Sequence, residues 1–335
     1  MDEIMCDIGY SGIREMLKDC LCEIQAKASS LSMQGVPSGY CSLDDLTCGF
    51  EKGKVYVIGG RPSMGKEEFM LSMIRNMIME KVDVLLFSTN HMKRDYIYRL
   101  LSIHCNIPSL QLHKGYLETM EWERLDHEVD TLYDAPLYIH DAFDLPLNEL
   151  VETARFCRRN SDLKIIFIDC LQMIDFAKEN ENPSERIARV MYSLKQLANF
   201  LNLPIVVGSM LNRDIECRKG LKGKRPHLMD LAKSSYIEEM ADVVMMVHRP
   251  VYYGLYKDDG DRDLHGLMEI CVMKNGLKPL GDIFLDYQWE TGAVSMMKNE
   301  RESCSKPTRQ KELKTDNKAL KSLGRASDLK EELPF

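Results

Sequence analysis

The chain has 335 residues, 44% hydrophobic and 29% charged, so it can bury a sizeable core and is too apolar for global disorder. Its net charge of -8 argues against a protein that coats nucleic acid by bulk charge, although a local basic surface remains compatible with it. The 11 cysteines include no C-x-x-C pair and lack zinc-site or disulfide-framework spacing. We find no secretory signal and no apolar run near the roughly 20 residues of a membrane helix. We therefore expect a cytoplasmic protein with free thiols.

Residues 13–28 form the first segment with helical periodicity. The apolar positions that would share one face of this helix are Ile13, Met16, Leu17, Leu21 and Ile24. The nearby sequence offers no partner for that face. Two interpretations remain open: a helix packed on its own domain, or a linker helix that docks onto a neighbour.

From residue 54 onward, short apolar runs alternate with segments of helical periodicity. The apolar runs that predict strands are 55–59, 84–87, 137–139, 165–168, 205–207 and 243–247, and the helical segments are 66–79, 147–158 and 184–201. Continuous apolar strands between helices are typical of a parallel sheet covered on both faces. Two later runs flank Asn275-Gly276 and predict a hairpin that closes one edge of the sheet.

A phosphate-binding loop is predicted between the first strand and the first helix of this region. The pattern G-x-x-x-x-G-K is matched by Gly60, Arg61, Pro62, Ser63, Met64, Gly65 and Lys66. The loop follows a strand and opens a helix, which is the context in which backbone N–H groups and the lysine bind phosphates. We therefore expect a nucleotide here.

The residue after this lysine departs from the usual pattern. Phosphate loops normally carry Ser or Thr there as a Mg²⁺ ligand, and this chain has Glu67. A carboxylate can also ligate Mg²⁺, but it places a negative charge beside a triphosphate. Glu67 also suits the positive end of the helix dipole, so the chain's own acid can stabilise an empty loop.

Asp169 is the second acidic candidate, because it ends the apolar strand 165–168. In P-loop folds such an aspartate lies beside the phosphate loop and holds the Mg²⁺ shell through water. The alternative is an aspartate that caps a turn. The upstream phosphate loop favours the metal role, so Asp169 and Glu67 are the predicted metal residues.

These motifs, in this order, resemble the C-terminal motor domain of DnaB-type replicative helicases from about residue 35 to 292. The strings that carry the resemblance are GVPSG at 35–39, RPSMGK at 61–66, IDCLQM at 168–173, LNR at 211–213, IEEMAD at 237–242 and NG at 275–276. The resemblance implies an α/β, RecA-like P-loop NTPase with a mostly parallel sheet flanked by helices and a C-terminal β-hairpin edge. It also implies ATP and Mg²⁺ as cofactors, a ring of usually six subunits, and single-stranded DNA in the central channel.

The resemblance divides the chain into three parts. Residues 1–33 are the N-terminal linker-helix region, and residues 34–297 are the RecA-like domain. Residues 298–335 are expected to be a disordered basic tail with an acidic Leu-Pro-Phe tip. That tip resembles the C-terminal tip of bacterial single-strand-binding proteins, which suggests that Phe335 docks on replication or repair proteins.

Four positions depart from the family at its reaction centre. Glu67 replaces Thr, Asn90 replaces the catalytic Glu, Met210 replaces the sensor Gln and Lys274 replaces the arginine finger. An amide cannot take a proton from water, and lysine lacks the bidentate fork of arginine. We therefore expect weakened hydrolysis. An ATP-driven helicase and a catalytically inactive scaffold or regulator that binds DNA or a helicase both remain open.

Residues 213–225 concentrate positive charge on this acidic chain, with six Lys/Arg and two Asp/Glu. The predicted DNA-binding residues are Arg213, Arg218, Lys219, Lys222, Lys224 and Arg225. A flexible basic loop binds phosphates well, and the resemblance places this segment toward the DNA channel. The alternative is a solvated surface loop.

Overall fold

The computed structural model describes residues 12–13, 16–18, 20–22, 24, 35–176, 182–220, 222–231, 235–258 and 260–298. Its contacts divide the chain into two units, Met1–Met297 and Lys298–Phe335, and the description below concerns the first. The helices in the described residues are α1 (Cys41–Thr47), α2 (Lys66–Met79), α3 (Lys93–Cys105), α4 (Ser109–Lys114), α5 (Thr119–Tyr133), α6 (Leu147–Asn160), α7 (Pro183–Leu201) and α8 (Ser235–Met240).

One sheet organises this unit. Its strands are β1 (Val55–Gly60), β2 (Val84–Ser88), β3 (Leu137–Asp141), β4 (Ile165–Ile168), β5 (Ile205–Met210), β6 (Val243–His248), β7 (Leu267–Asn275), β8 (Gly281–Tyr287) and β9 (Val294–Met296). Their order is β3-β2-β4-β5-β1-β6-β7-β8-β9. The first six strands pair in parallel, and β7, β8 and β9 continue the sheet antiparallel. The predicted fold class is confirmed, and β9 is an additional strand at the predicted hairpin edge.

The core lies on both faces of the sheet, as the continuous apolar strands predict. Along β1, Tyr56 and Ile58 belong to the cluster that includes α2 and α3, whereas Val55 and Val57 belong to the cluster of α6 and α7. Alternating side chains of one strand thus bury against opposite layers of helices. This three-layer packing fixes the carboxyl end of β1, from which the phosphate loop starts.

Residues 93–133 form helices α3, α4 and α5, which periodicity did not predict. Helix α5 begins with a capping box in which Glu118 and Glu121 pair reciprocally with each other's backbone N–H groups. Its apolar residues Trp122, Leu125, Val129 and Leu132 recur at helical spacing, but none of its side chains is fully buried. Among the described residues, no helix is long and apolar enough to cross a membrane.

Eight of the described cysteines are free thiols, but Cys41 is disulfide-bonded, contrary to the expectation of free thiols throughout.

Residues 13, 16–18, 20–22 and 24 are helical, and their five apolar side chains are 54–78% exposed. The apolar face is therefore not packed on its own domain.

Candidate nucleotide-binding site

The phosphate loop lies at the carboxyl edge of the sheet, between β1 and the start of α2. Strand β1 is central and pairs in parallel with β5 and β6, so the loop opens beside the ends of both strands. Such crevices at the carboxyl ends of parallel strands are the usual ligand sites of α/β folds. A cavity of about 510 Å³ occupies this position, lined by Gly60, Arg61, Pro62, Ser63, Gly65, Lys66, Glu67, Glu68, Asn90, His91, Arg99 and Met210.

The loop backbone is held in an unusual conformation by its neighbours. Ser63 and Gly65 have positive φ values of 63° and 89°. The left-handed backbone at Gly65 favours glycine, because a residue with a Cβ atom would be strained there. Arg249 Nη1 donates to the Ser63 carbonyl at 3.1 Å, and the Arg249 guanidinium lies 4.2 Å from the ring centroid of Tyr287. Residues after β6 and at the end of β8 thus fix the loop from one side.

Lys66 joins the loop to β4. Its side chain is largely buried, and its Nζ donates to the Asp169 carbonyl at 3.1 Å. Gly208 of β5 makes this close approach possible, because a Cβ there would lie 2.2 Å from the Asp169 oxygen and 3.1 Å from Lys66 Nζ. The predicted lysine and aspartate are therefore brought together as the sequence motifs require.

The Asp169 carboxylate is 1% exposed and accepts four hydrogen bonds. Its Oδ1 accepts from the Thr89 N–H at 2.9 Å and the Thr89 hydroxyl at 2.5 Å. Its Oδ2 accepts from the Asn90 N–H at 3.3 Å and the Tyr96 hydroxyl at 2.7 Å. A carboxylate offers about four acceptor positions, so a Mg²⁺-bound water would have to replace one of these donors.

Glu67, the other predicted metal residue, is ion-paired within the chain. Arg99 Nη1 donates to Glu67 Oε2 at 2.7 Å, and His91 Nε2 lies 3.1 Å from the same oxygen. Burial alone would raise the pKa of Glu67, but the His91 hydrogen bond and the charges of Lys66 and Arg99 lower it to about 2. The hydrogen bond to Glu67 raises the pKa of His91 in turn. No group of three or more His, Cys, Asp or Glu residues suited to a metal ion occurs in the described part of the chain.

The other candidate catalytic residues lie in two places. Asn90 and Met210 both line the cavity. Gln172, on the turn after β4, accepts from the Met210 N–H at 3.1 Å and donates to the Ser209 hydroxyl at 2.9 Å, which fixes the end of β5. Lys274 lies elsewhere, because its Nζ donates to the Glu238 and Glu239 carbonyls of α8 at 2.7 and 3.1 Å. Lys274 is therefore not brought to this chain's own phosphate loop.

The basic segment 213–225 is partly tied down by its own charges. Arg218 pairs with Asp230, Lys224 donates to the Glu216 carbonyl, and Arg225 pairs with Asp282 at 2.5 Å. Arg218 and Arg225 thus tie the segment to residues outside it, whereas the Lys224 contact lies within the segment. Arg213 and Lys219 are exposed, whereas the Lys222 side chain and the tail ending in Phe335 lie outside the described residues. The free positive charge is smaller than the sequence count suggests.

Four contributors to the site have no motif that reveals them: His91, Tyr96, Arg99 and Arg249. His91 and Arg99 lie 24 and 32 positions from Glu67 along the chain. Only the packing of α3 against α2 brings them to the loop. Positive charge on α3 is visible in the sequence, but its target is not.

Comparisons with known proteins agree with this geometry. The family model described as the DnaB-like helicase C terminal domain matches residues 35–296. A replicative DNA helicase DnaB of Helicobacter pylori (strain ATCC 700392 / 26695) is 33% identical over 259 residues, covering 76% of this chain and 52% of the relative. A probable replicative DNA helicase of Trieres chinensis is 31% identical over 276 residues, covering 82% of this chain and 60% of the relative. The chain thus spans little more than half the length of these curated relatives.

Two solved structures are similar to the chain over most of its length. One, described as an ATPase domain, has a TM-score of 0.78 and 27% identity, covering 86% of this chain and 99% of that domain. The other, a DnaB-like replicative helicase described with its interactions with primase, has a TM-score of 0.76 and 27% identity, covering 86% of this chain and 67% of that one. The predicted resemblance is confirmed by sequence and by fold.

Proposed function

Because this chain belongs to the DnaB-like helicase C-terminal domain family, we propose that it is an ATP-binding motor domain that acts on DNA in replication and hydrolyses ATP weakly. One observation carries the proposal: Lys66 lines the phosphate-loop cavity, and its Nζ lies 3.1 Å from the Asp169 carbonyl oxygen. The domain is residues 34–297, preceded by the linker-helix region and followed by the basic tail.

The weak hydrolysis follows from the side chains that line the cavity. Asn90 lies where the family has its general base, and an amide cannot accept a proton from water. Met210 offers a thioether where the family has a sensor amide. Lys274 lies away from this chain's phosphate loop, so any arginine-finger role would be on the nucleotide of a neighbouring subunit, and lysine lacks the fork of arginine.

Mg²⁺ would enter this site with the nucleotide phosphates. Asp169 would hold a metal-bound water in exchange for one of its four donors, and Glu67 would ligate the ion only after leaving Arg99. The ion would neutralise charge on the phosphates when bound. Phosphates therefore supply the main attraction for the ion, because both protein carboxylates have partners.

Assembly into a ring, of six subunits by analogy with the family, is supported by exposed apolar surface. The helical residues between 13 and 24 leave their apolar face uncovered. A groove of about 340 Å³ between α3 and α5 is lined only by apolar residues and tyrosine, including the exposed Ile97 and Tyr133. Exposed apolar surfaces of this kind mark contacts between proteins. We propose that these surfaces contribute to contacts between copies of the chain.

Single-stranded DNA is the proposed ligand of the ring, and the exposed Arg213 and Lys219 are its best-placed contacts. A cytoplasmic location follows from this partner. Docking of replication or repair proteins on Phe335 stays a proposal from the sequence. The solved neighbour described with primase supports a replication setting for the family.

The alternative function is a catalytically inactive scaffold or regulator that binds DNA or a helicase. The four altered positions at the reaction centre favour it. The two functions are separated by ATP hydrolysis measured with and without single-stranded DNA, in the wild type, in Lys66→Ala and in the double variant Glu67→Thr/Asn90→Glu. The motor predicts slow, DNA-stimulated hydrolysis that Lys66→Ala abolishes and the double variant accelerates. No hydrolysis in the wild type, with DNA binding retained, would favour the scaffold.

A further inference from the structure

The basic side chains of Arg99 and His91 both contact the Glu67 carboxylate in the lining of the phosphate cavity. Arg99 Nη1 and His91 Nε2 both contact Glu67 Oε2, at 2.7 and 3.1 Å. Glu68 lies farther from Arg99, at 3.9 Å. Arg99 is therefore shared between two acids but is hydrogen-bonded to only one of them.

All three side chains face the cavity rather than the core. Arg99, His91 and Glu67 line the cavity, and their side chains are 30%, 31% and 21% exposed. A molecule in the cavity could therefore reach Arg99 and His91 without unfolding α3. The nearby Asp169 carboxylate does not compete for them, because Thr89, Asn90 and Tyr96 fill its acceptor positions.

Phosphate oxygens and a carboxylate are alternative partners for the same basic side chains. Arginine binds both in the same fork geometry, and each makes short charge-assisted hydrogen bonds. Glu67 also follows Lys66, the residue that reaches the outer phosphates in loops of this kind. A nucleotide bound here would meet the Glu67 charge and would find Arg99 and His91 already paired.

We propose that Glu67 is a counter-anion of the phosphate pocket: it holds Arg99 in an ion pair and His91 in a hydrogen bond, and the phosphates of a bound nucleotide must replace it as their partner. Glu67 thereby lowers the affinity of the pocket for nucleoside triphosphates and other polyphosphates. When phosphates arrive, Arg99 turns from Glu67 to the terminal phosphate. This inference rests on the proposed nucleotide site and assigns it two further phosphate-binding residues.

The counter-anion role and the metal-ligand role of Glu67 predict opposite results. A counter-anion weakens nucleotide binding whether or not Mg²⁺ is present, because it acts on phosphate charge and on Arg99. A metal ligand strengthens binding, and only when Mg²⁺ is present. Affinity for ATP in Mg²⁺ and in EDTA therefore separates the two roles.

The test is titration calorimetry of ATP and of inorganic tripolyphosphate into the full chain, each in Mg²⁺ and in EDTA. Glu67→Gln removes the charge at nearly constant shape and should tighten binding of both probes by about ten-fold or more in both buffers, which is about 1.4 kcal/mol. Glu67→Thr should act in the same direction in EDTA. Glu68→Gln, the charge-matched control, should give a smaller gain because Glu68 lies farther from Arg99.

A second arm tests Arg99 itself. In an Arg99→Gln background, Glu67→Gln should lose most of its gain in affinity, because there is no Arg99 for the substitution to release. Thermal melts verify that each variant is folded. Equal or weaker ATP binding by both Glu67 variants in EDTA, with wild-type binding intact, would overturn the counter-anion and leave the nucleotide site standing. If the wild type and both Glu67 variants all fail to bind ATP, the proposed function fails as well.

Discussion

Arg249 Nη1 donates a hydrogen bond to the carbonyl of Ser63 at 3.1 Å. The same guanidinium lies over the ring of Tyr287. Ser63 is a non-glycine residue with a positive φ, so the loop conformation costs free energy unless its neighbours hold it. Arg249 supplies that restraint from the end of β6, a strand that pairs directly with β1.

Arg249→Ala should therefore weaken ATP binding by roughly 3- to 30-fold, because one hydrogen bond from a charged donor contributes on the order of 1 kcal/mol or more. The residue is partly exposed, so the free energy of unfolding should change little. Calorimetry and urea unfolding measure the two effects separately. Arg249→Lys, which keeps the charge, should lose less affinity; equal affinities for wild type and Arg249→Ala would show that the loop holds itself.

Gly208→Ala should destabilise the protein. The added Cβ would lie 2.2 Å from the Asp169 carbonyl oxygen, a backbone atom that cannot move aside without displacing β4. Overpacking of this kind costs about 1–3 kcal/mol or more. Urea unfolding should show the loss, whereas Gly12→Ala, where a Cβ meets no atom within 4 Å, should leave stability unchanged. If Gly208→Ala is as stable as the wild type, Gly208 does not lie as close to the Asp169 carbonyl as the structure shows.

Asn90→Glu should raise the rate of ATP hydrolysis. Asn90 lines the cavity and its backbone N–H already binds Asp169, so a glutamate there would start from a fixed position. General-base help contributes about 10²-fold or more. Steady-state phosphate release measures the effect, with Asn90→Gln as the uncharged control of the same length. If Glu and Gln behave alike, the missing base does not limit the reaction.

Substitutions of Arg225 and Lys219 should have different effects, although both residues belong to the basic segment 213–225. The first should affect the free energy of unfolding, and the second should affect DNA binding. Arg225 pairs with Asp282 and Glu269, so Arg225→Ala should lower the free energy of unfolding. Lys219 is exposed, so Lys219→Ala should weaken binding of single-stranded DNA and reduce its salt dependence without affecting stability. Fluorescence anisotropy at several salt concentrations and urea unfolding report the two effects. A DNA affinity that is unaffected by Lys219→Ala combined with Arg213→Ala would exclude this segment as the DNA contact.

His248 should make the protein less stable in mild acid. Burial in β6, together with the positive charge of Arg225, lowers its pKa from 6.5 to about 4. Between those values the unfolded chain binds the proton more readily than the folded one, so stability is intact above pH 6.5 and is lost as the pH falls toward 4. The loss amounts to about 3 kcal/mol at most.

Urea unfolding at pH 7 and pH 5 tests this, with His248→Phe as the variant that keeps the stacking on Tyr253 but does not titrate. The difference in stability between wild type and variant should shift in favour of the variant at pH 5. Equal shifts in both proteins would assign the acid sensitivity to other groups.

The sequence predicts the parts of this molecule that depend on local pattern. Strand β4 and helix α2 have the predicted bounds, because a buried apolar run and an amphipathic helix after a phosphate loop each leave a clear signal. Helix α5 also has apolar residues at helical spacing, Trp122, Leu125, Val129 and Leu132, and our prediction omitted them. None of its side chains is fully buried, so this helix belongs to the surface of the domain rather than to its core.

The candidate site shows the same division. Lys66 and Asp169 could be placed together from motif order alone, because both follow parallel strands of one sheet. The pairing of Glu67 with Arg99 could not, because it depends on how α3 packs on α2. Likewise, the charge of Arg225 suggests a DNA contact. In the structure, however, Arg225 pairs with Glu269 on β7 and Asp282 on β8, which are distant in sequence. Charge is visible in a sequence, but its partner is set by the fold.

Nucleotide binding by the loop at Lys66 is measured by calorimetric titration of Mg-ATP into the wild type and into Lys66→Ala. We expect saturable binding by the wild type that Lys66→Ala weakens at least about ten-fold, because the lysine reaches the outer phosphates. No binding by the wild type, or equal binding by both proteins, would contradict this expectation.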